Sequence, residues 1–552
     1  MPATNLASRQ GENDSDLYDI VAIGGAFAGA AFTTLIQRWV PGARVLIVER
    51  NAFFHRKVGE ATVEVSGCFL HRVLGLFDHL SREQLPKHGL RYWFTDNCER
   101  TLYEMSEVGP KEMPRLASFQ LDRAKLDQHL LDTARAEGAE VMRPARVVDV
   151  ELGWPQSQVV IESEAGRRTV RARWVLDASG RQTFVSRKLK LHSKVEEHPT
   201  AAIWARWDGV KDLDGSQVLG GDPRMCKLPV IGAARRLATN HFCDYGWWCW
   251  VIPLSNGQTS IGLVYNKELY EPPGDGTEGT LRERYLRFVA RWPGLRELTA
   301  DAKIVEEEWG EDFMALSHLP YRTSKYMDKG WALVADAASF LDPYYSPGLD
   351  HASMSIYATA RIIEKDLKGQ IDEAALGAKI DIHNGNFTRS YERWLEALYI
   401  GKYELMGDAD LLGAAFLIDT ALYYMGVVTP VQKNLETIAN PAFGLSLPQA
   451  TWAYRIMKAT NGRLLKLARM RRAAGTYGRN NIGLHRYSRA FGLGVRGNLP
   501  GLFKGIRIWL KVELECLGHR LRHGGTDVSG PVPPDRAMAK KMPKMEAQPG
   551  PA

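Results

Sequence analysis

The first residues whose types and spacing could do chemistry lie near the start of the chain. A β-branched run, Tyr18-Asp-Ile-Val-Ala-Ile23, leads straight into Gly24-Gly25-Ala26-Phe27-Ala28-Gly29 and a helical stretch through about Trp39. A second run, Ala43-Arg-Val-Leu-Ile-Val48, then delivers Glu49. This is the order of a βαβ dinucleotide site. The first glycine makes a tight turn, the last lets helix and sheet pack closely, and the helix N-terminus receives pyrophosphate. Glu49 at the strand end suits hydrogen bonds from an adenosine ribose. Ala26 stands where the usual pattern has its second glycine, so this run by itself is equally a packed αβ turn.

A second candidate is aromatic. Tyr245-Gly-Trp247-Trp248-Cys-Trp250-Val-Ile252-Pro-Leu precedes a Ser255-Asn-Gly-Gln turn and the apolar run Thr259–Tyr265. The pattern predicts a hairpin. Alternation puts Trp248, Trp250 and Ile252 on one face, as an aromatic wall or as core packing.

The elements that must position these residues come from a chain of 552 residues, long enough for several domains. Hydrophobic residues at 45% and charged residues at 24% fit an ordinary globular protein. The polar first sixteen residues, with no apolar core, predict no secretory leader, and a cytoplasmic location is expected. Six cysteines without C-x-x-C or ligand-like histidine spacing predict no metal site. Residues 453–525 hold sixteen Lys/Arg against two Asp/Glu. This block is either a solvated helical surface or a docking surface for an acidic protein or a peripheral membrane contact; no nucleic-acid motif accompanies it. Leu411–Val428 is apolar and about long enough to span a bilayer. Asp419 at its middle favours a buried helix or a cavity wall instead.

Further segments carry a resemblance. Val58-Gly59-Glu60-Ala61-Thr62, Ser118-Phe-Gln120-Leu-Asp-Arg123 through Asp127, Arg173-Trp-Val-Leu-Asp177-Ala-Ser-Gly180 and Gly330–Asp336 resemble segments of FAD-binding monooxygenases. Phe340-Leu-Asp-Pro343-Tyr-Tyr-Ser346-Pro347-Gly348 fits an F-x-x-P-x-x-S-x-G loop, in register with the W-x-W-x-I-P run. Together these resemble the flavin-dependent halogenases over roughly residues 17–370.

The resemblance implies an α/β fold: an FAD-binding Rossmann-like module with a β-sheet substrate insertion and a helical C-terminal region. The expected boundaries are a disordered tail at 1–16, the FAD module at 17–196 and 305–370, and the insertion at 197–304. A helical, basic region at 371–524 and a disordered tail at 525–552 complete them. Cofactor contacts are expected from Gly24, Gly25, Ala28, Gly29, Glu49, Gly59, Glu60, Ala61, Arg123, Asp336 and Gly348, with Ser346 and Gly348 at the halide. Pro347 has no N–H, which weakens that halide site. Trp248, Trp250 and Tyr345 are expected to part flavin from substrate.

Lys87 lies 27 residues beyond Glu60 in a K-x-G-like stretch and matches the family's catalytic lysine. It would orient hypohalous acid, made through a flavin hydroperoxide, or form a chloramine. The family implies FAD reduced by a separate reductase, molecular oxygen, chloride or bromide, and a small aromatic substrate, free or carrier-bound. With no second nucleotide fingerprint, a separate NADPH site is not expected. Tyr345 replaces the glutamate of the tryptophan-specific branch, which points to the phenol- and pyrrole-type branch. The rival readings are an FAD-dependent monooxygenase or dehydrogenase without halide binding, and a non-catalytic flavin-binding accessory protein.

Overall fold

The computed structural model describes residues 16–95, 101–215, 232–272, 279–308, 310–444 and 448–523. The two expected tails fall almost wholly outside these residues.

Two large sheets organise the chain. The first has eight strands, and its centre is parallel: Leu17–Ile23 lies between Gly166–Asp177 and Val45–Val48. Trp331–Leu333 and Glu140–Met142 extend it on either side, both parallel to their neighbours. These strands read as continuous β-branched and apolar runs because both faces are covered. Tyr18, Ile20, Val21, Leu46, Ile47, Val175 and Leu176 are buried. The Phe27–Trp39 helix follows the first strand, as the fingerprint requires.

The second sheet has nine strands, and the tryptophan hairpin lies within it. Trp247–Pro253 pairs antiparallel with Thr259–Asn266 around a turn with Gly257 at φ 87°. The predicted alternation holds. Trp248, Trp250 and Ile252 join the main core, while Trp247, Cys249 and Val251 face a second apolar cluster with Phe288 and Trp292. The sheet is wider than the expected 197–304 insertion. It also takes Leu90–Phe94, Ser106–Pro110, Phe313–Leu316 and, from the C-terminal region, His485–Ser488. Strands so distant in sequence leave no local signal of their pairing.

The C-terminal region is mainly helical. The apolar segment noted above lies in the helical stretch Ala409–Lys433, which begins with the helix Ala409–Tyr423, and 83% of its most apolar window is buried inside the protein. Asp419 within it is paired with Lys402, 2.9 Å away. It is a core helix. The Leu499–His523 helix packs along it.

Candidate active site

The nucleotide cradle is built from backbone. Gly24 has φ 102°, and a Cβ there would meet the Ala178 carbonyl oxygen at 2.6 Å. A Cβ on Gly29 would sit 1.9 Å from the Gly24 carbonyl oxygen, so both positions require glycine. The helix that follows has no side-chain cap at Ala26, and its first hydrogen bond to that residue comes from Ala30. The amides of Phe27, Ala28 and Gly29 therefore end the helix with unmet donors, the arrangement that accepts pyrophosphate. Glu49 accepts from the Gly25 and Asn51 amides at 2.8 and 2.9 Å, which fixes its carboxylate at the strand end.

Asp336 follows Ala335, which adopts φ 52°, a left-handed conformation that favours glycine. Its carboxylate has no protein donor among the described residues, and burial raises its pKa. A half-buried carboxylate with no protein donor among the described residues, lining a cavity, suits FAD.

Two expected cofactor contacts, Arg123 and Glu60, and the expected halide contact Ser346 make protein partners in this structure. Arg123 directs its guanidinium to Asp127 at 3.0 Å and to the carbonyls of Val58 and Gly59. Glu60 is buried and turned to Arg206 of the second sheet at 3.4 Å. The Ser346 amide donates to the Pro343 carbonyl at 2.9 Å, which closes a turn and withdraws it from any anion. With no N–H on Pro347, the loop keeps the Gly348 amide, at the start of the Gly348–Leu367 helix, as its outward donor. Gly59 takes φ 94° and Ala61 bridges Gln120, so this segment is held as a turn against the Phe119–Gln120 strand.

Lys87 is buried. Its Nζ donates to the Thr62 carbonyl at 2.8 Å. Burial lowers its pKa to about 8, while Glu64 and Asp350 work the other way. It opens on a cavity with about 900 Å³ of atom-free space, mouth included, whose walls include Glu64, Tyr345, Asp350, Phe416, Tyr423 and Phe491.

Asp350 was not singled out in the sequence, although it stands two residues beyond Gly348. It accepts from the Ser66 amide at 2.8 Å and from the Tyr423 hydroxyl. Burial raises its pKa to about 7, against those hydrogen bonds. Glu64 accepts from the Tyr424 hydroxyl at 2.6 Å. Lys87, Glu64 and Asp350 thus line one chamber, together with Glu112, Asp419 and Arg489.

A second, smaller cavity holds Asp336 and Gly348, and Pro347 borders both. Tyr345, at φ 69°, reaches the chamber wall, and its hydroxyl donates to Asp419 at 3.2 Å. Trp248 and Trp250 line neither cavity. Trp248 backs Tyr344, 5.6 Å between ring centroids, and Tyr344 backs Tyr345 at 4.2 Å. Their indole N–H groups bond Tyr403 and Ser260. The dividing wall facing the chamber is therefore Tyr345 and Pro347, with the tryptophans as its buttress.

Comparison with known proteins places the chain among flavoproteins. The FAD binding domain family matches residues 18–230. The flavin-dependent halogenase chlA of Dictyostelium discoideum is 26% identical over 390 residues, covering 64% of this chain and 61% of its own length. The 1H-pyrrole-2-carbonyl-[peptidyl-carrier protein] chlorinase of Pseudomonas fluorescens is 27% identical over 63% of this chain and 75% of its own. The chain is a relative of the flavin-dependent halogenases.

FAD is the cofactor of this halogenase relative, and its fold is theirs. The crystal structure of halogenase PltM with phloroglucinol and FAD superposes with a TM-score of 0.67 at 18% identity, covering 90% of this chain and 96% of that one. The chondrochloren halogenase CndH gives 0.57 at 23% identity, covering 81% and 97%. A flavoprotein/dehydrogenase from Cytophaga hutchinsonii also shares the fold, at 0.56 and 20% identity over 83% of this chain and all of that one. Fold alone does not choose the reaction.

Proposed function

We propose that this halogenase relative chlorinates or brominates an electron-rich aromatic substrate, with reduced FAD supplied by a separate reductase. The observation that carries this reading is the placement of Lys87. Its ammonium is buried in a chamber walled off from the Asp336 side by Tyr345 and Pro347. A monooxygenase needs its substrate against the flavin; a lysine behind a wall suits an oxidant that diffuses to it.

Bound FADH2, oxygen and halide supply hypohalous acid. The rest is done by side chains. The Gly348 amide, at a helix N-terminus, faces the smaller cavity and suits a halide ion. Lys87 donates a hydrogen bond to the oxygen of hypohalous acid, which polarises the oxygen–halogen bond toward a carbon held in the chamber. As the carbon–halogen bond forms and the oxygen–halogen bond breaks, Lys87 gives a proton to the departing oxygen, which leaves as water. Asp350 takes the proton released by the ring or its hydroxyl. Glu64 adds negative charge beside the developing cation. The apolar walls suit an aromatic ring, and its identity as a phenol or pyrrole, free or carrier-bound, belongs to this proposal.

The test supplies chemically reduced FAD, oxygen and bromide to the protein with a panel of phenols and pyrroles, and no nicotinamide. Brominated product is expected; substrate that gains only one oxygen would replace this reading with a monooxygenase.

A pH dependence follows from the same residues. Asp350 must be ionised, a state gained as pH rises through about 7. Lys87 must be protonated, a state lost as pH rises through about 8. The profile of kcat/KM is therefore expected to be a narrow bell with its top between those values, its limbs belonging to the coupled pair. Asp350→Asn is expected to remove the acid limb and lower the rate by roughly 10²-fold. An unchanged acid limb in that variant would assign it to another group.

A further inference from the structure

The Leu499–His523 helix has two dissimilar sides. Ile508, Val512 and Cys516 are buried, and Gly505 lies so close to the Ala409–Tyr423 helix that a Cβ would meet Ile418 at 2.8 Å. The opposite side bears Phe503, Leu510, Leu514, Leu517 and Leu521, each more than half exposed. Their 7-4-3-4 spacing draws one continuous apolar stripe along the helix.

The charges around the stripe are one-sided. Both acidic residues of the helix turn to cations of the body: Glu513 binds Arg463, and Glu515 binds Arg471 and Arg479. Arg507, Arg520 and Arg522 make no ion pair among the described residues, and Arg522 bonds only the Gly518 carbonyl of its own helix. Lys511 reaches Glu515 at 3.9 Å from an exposed position. The outer face is thus leucine-rich, flanked by cations, and carries no unneutralised carboxylate.

We propose that this face docks on an anionic membrane surface. The exposed leucines and Phe503 enter the headgroup boundary, and the long cationic side chains reach the lipid phosphates and carboxylates beside them. A second copy fits less well. Parallel pairing along the stripe sets Arg507 against its own copy, and antiparallel pairing about the midpoint brings the two Lys511 side chains together.

The placement also connects to the chamber. The Ala409–Tyr423 helix beneath contributes Phe416, Asp419 and Tyr423 to the chamber wall. Phe491, another wall residue, packs against Gly501 of the docking helix, where a Cβ would meet its ring at 2.6 Å. A docked enzyme holds its apolar chamber within two helix layers of the bilayer, placed to receive a lipid-soluble substrate.

The test is cosedimentation of the full-length, FAD-loaded protein with vesicles of phosphatidylcholine, with and without phosphatidylserine, at low and high salt. Pelleting with the phosphatidylserine vesicles at low salt is expected, weakened by salt and absent with phosphatidylcholine alone. The Leu514→Glu/Leu517→Glu and Arg507→Glu/Arg520→Glu variants, checked for bound flavin, are each expected to lose roughly tenfold in vesicle affinity. Failure to pellet with phosphatidylserine at low salt, equal pelleting with both vesicle types, or wild-type pelleting by the Arg507→Glu/Arg520→Glu variant would overturn the proposal. A dimer in light scattering that Leu514→Glu/Leu517→Glu dissociates would also overturn it, reassigning the face to a second copy.

Discussion

Lys87→Ala is expected to abolish halogenation while FAD still binds with wild-type stoichiometry. The ammonium lines the chamber beside Glu64 and Asp350, and its hydrogen bond goes to the Thr62 carbonyl, not to the nucleotide cradle. Loss of one preorganised donor at a developing charge costs on the order of 10²–10³-fold, and here the same group also supplies the proton for the leaving oxygen. The loss of product formation is therefore expected at about 10³-fold or more. Removing the side chain also leaves a buried void beside the Thr62 carbonyl, so melting temperature and flavin absorbance are measured alongside. Lys87→Arg is a sharper control. It keeps a cation, but its larger planar group does not fit the same donor position, and little activity is expected to return. Near wild-type halogenation by Lys87→Ala would move the catalytic role to another residue.

Gly29→Ala is expected to give a protein that purifies without flavin, or does not accumulate folded. Its Cβ would lie 1.9 Å from the Gly24 carbonyl oxygen, and neither partner is a flexible side chain. Helix and turn must part to accommodate it, at a cost of about 3 kcal/mol in packing. That movement also displaces the amides of Phe27, Ala28 and Gly29. Gly385→Ala is the matched control: it is exposed within the Glu373–Trp394 helix, and nothing lies within 4 Å of its added Cβ. It is expected to raise stability by about 1 kcal/mol, because alanine is the better helix former. Flavin content and thermal unfolding of both variants decide the matter. A yellow, stable Gly29→Ala protein would show that the turn is looser than the structure has it.

The nucleotide turn was legible in the sequence because its constraints are local. Strand, glycine turn and helix are consecutive, and Gly24 and Gly29 meet within six residues. The tryptophan strand was legible for the same reason, since a period of two fixes which side chains share a face.

The site's polar chemistry was less legible. Arg123, Glu60 and the Ser346 amide have the right chemistry for ligands, but Asp127, Arg206 and Pro343 take them up. Asp127 lies four residues from Arg123 and Pro343 three from Ser346, near enough to have hinted at this; Arg206 is far from Glu60 in sequence. Asp350 is an ordinary first-turn aspartate until Tyr423 and Ser66 close around it, and those partners are distant in sequence. Lys87 gave no sign of burial by itself, because lysine is ordinarily a surface residue. The basic C-terminal block divides in the same way. Arg469, Arg471 and Arg486 pair with Glu404, Asp408 and Asp410 of the body, Arg463 and Arg479 pair with the two glutamates of the last helix, and the exposed Arg507, Arg520 and Arg522 of that helix make no ion pair among the described residues.

The reaction itself is tested most directly by isotope labelling. The protein is given reduced FAD, bromide, an activated phenol and ¹⁸O-labelled oxygen gas, and the product is weighed by mass spectrometry. Lys87 behind the Tyr345–Pro347 wall is expected to yield product with the paired bromine isotopes and no ¹⁸O. A product that carries ¹⁸O and no bromine would contradict it, and would place the substrate at the flavin.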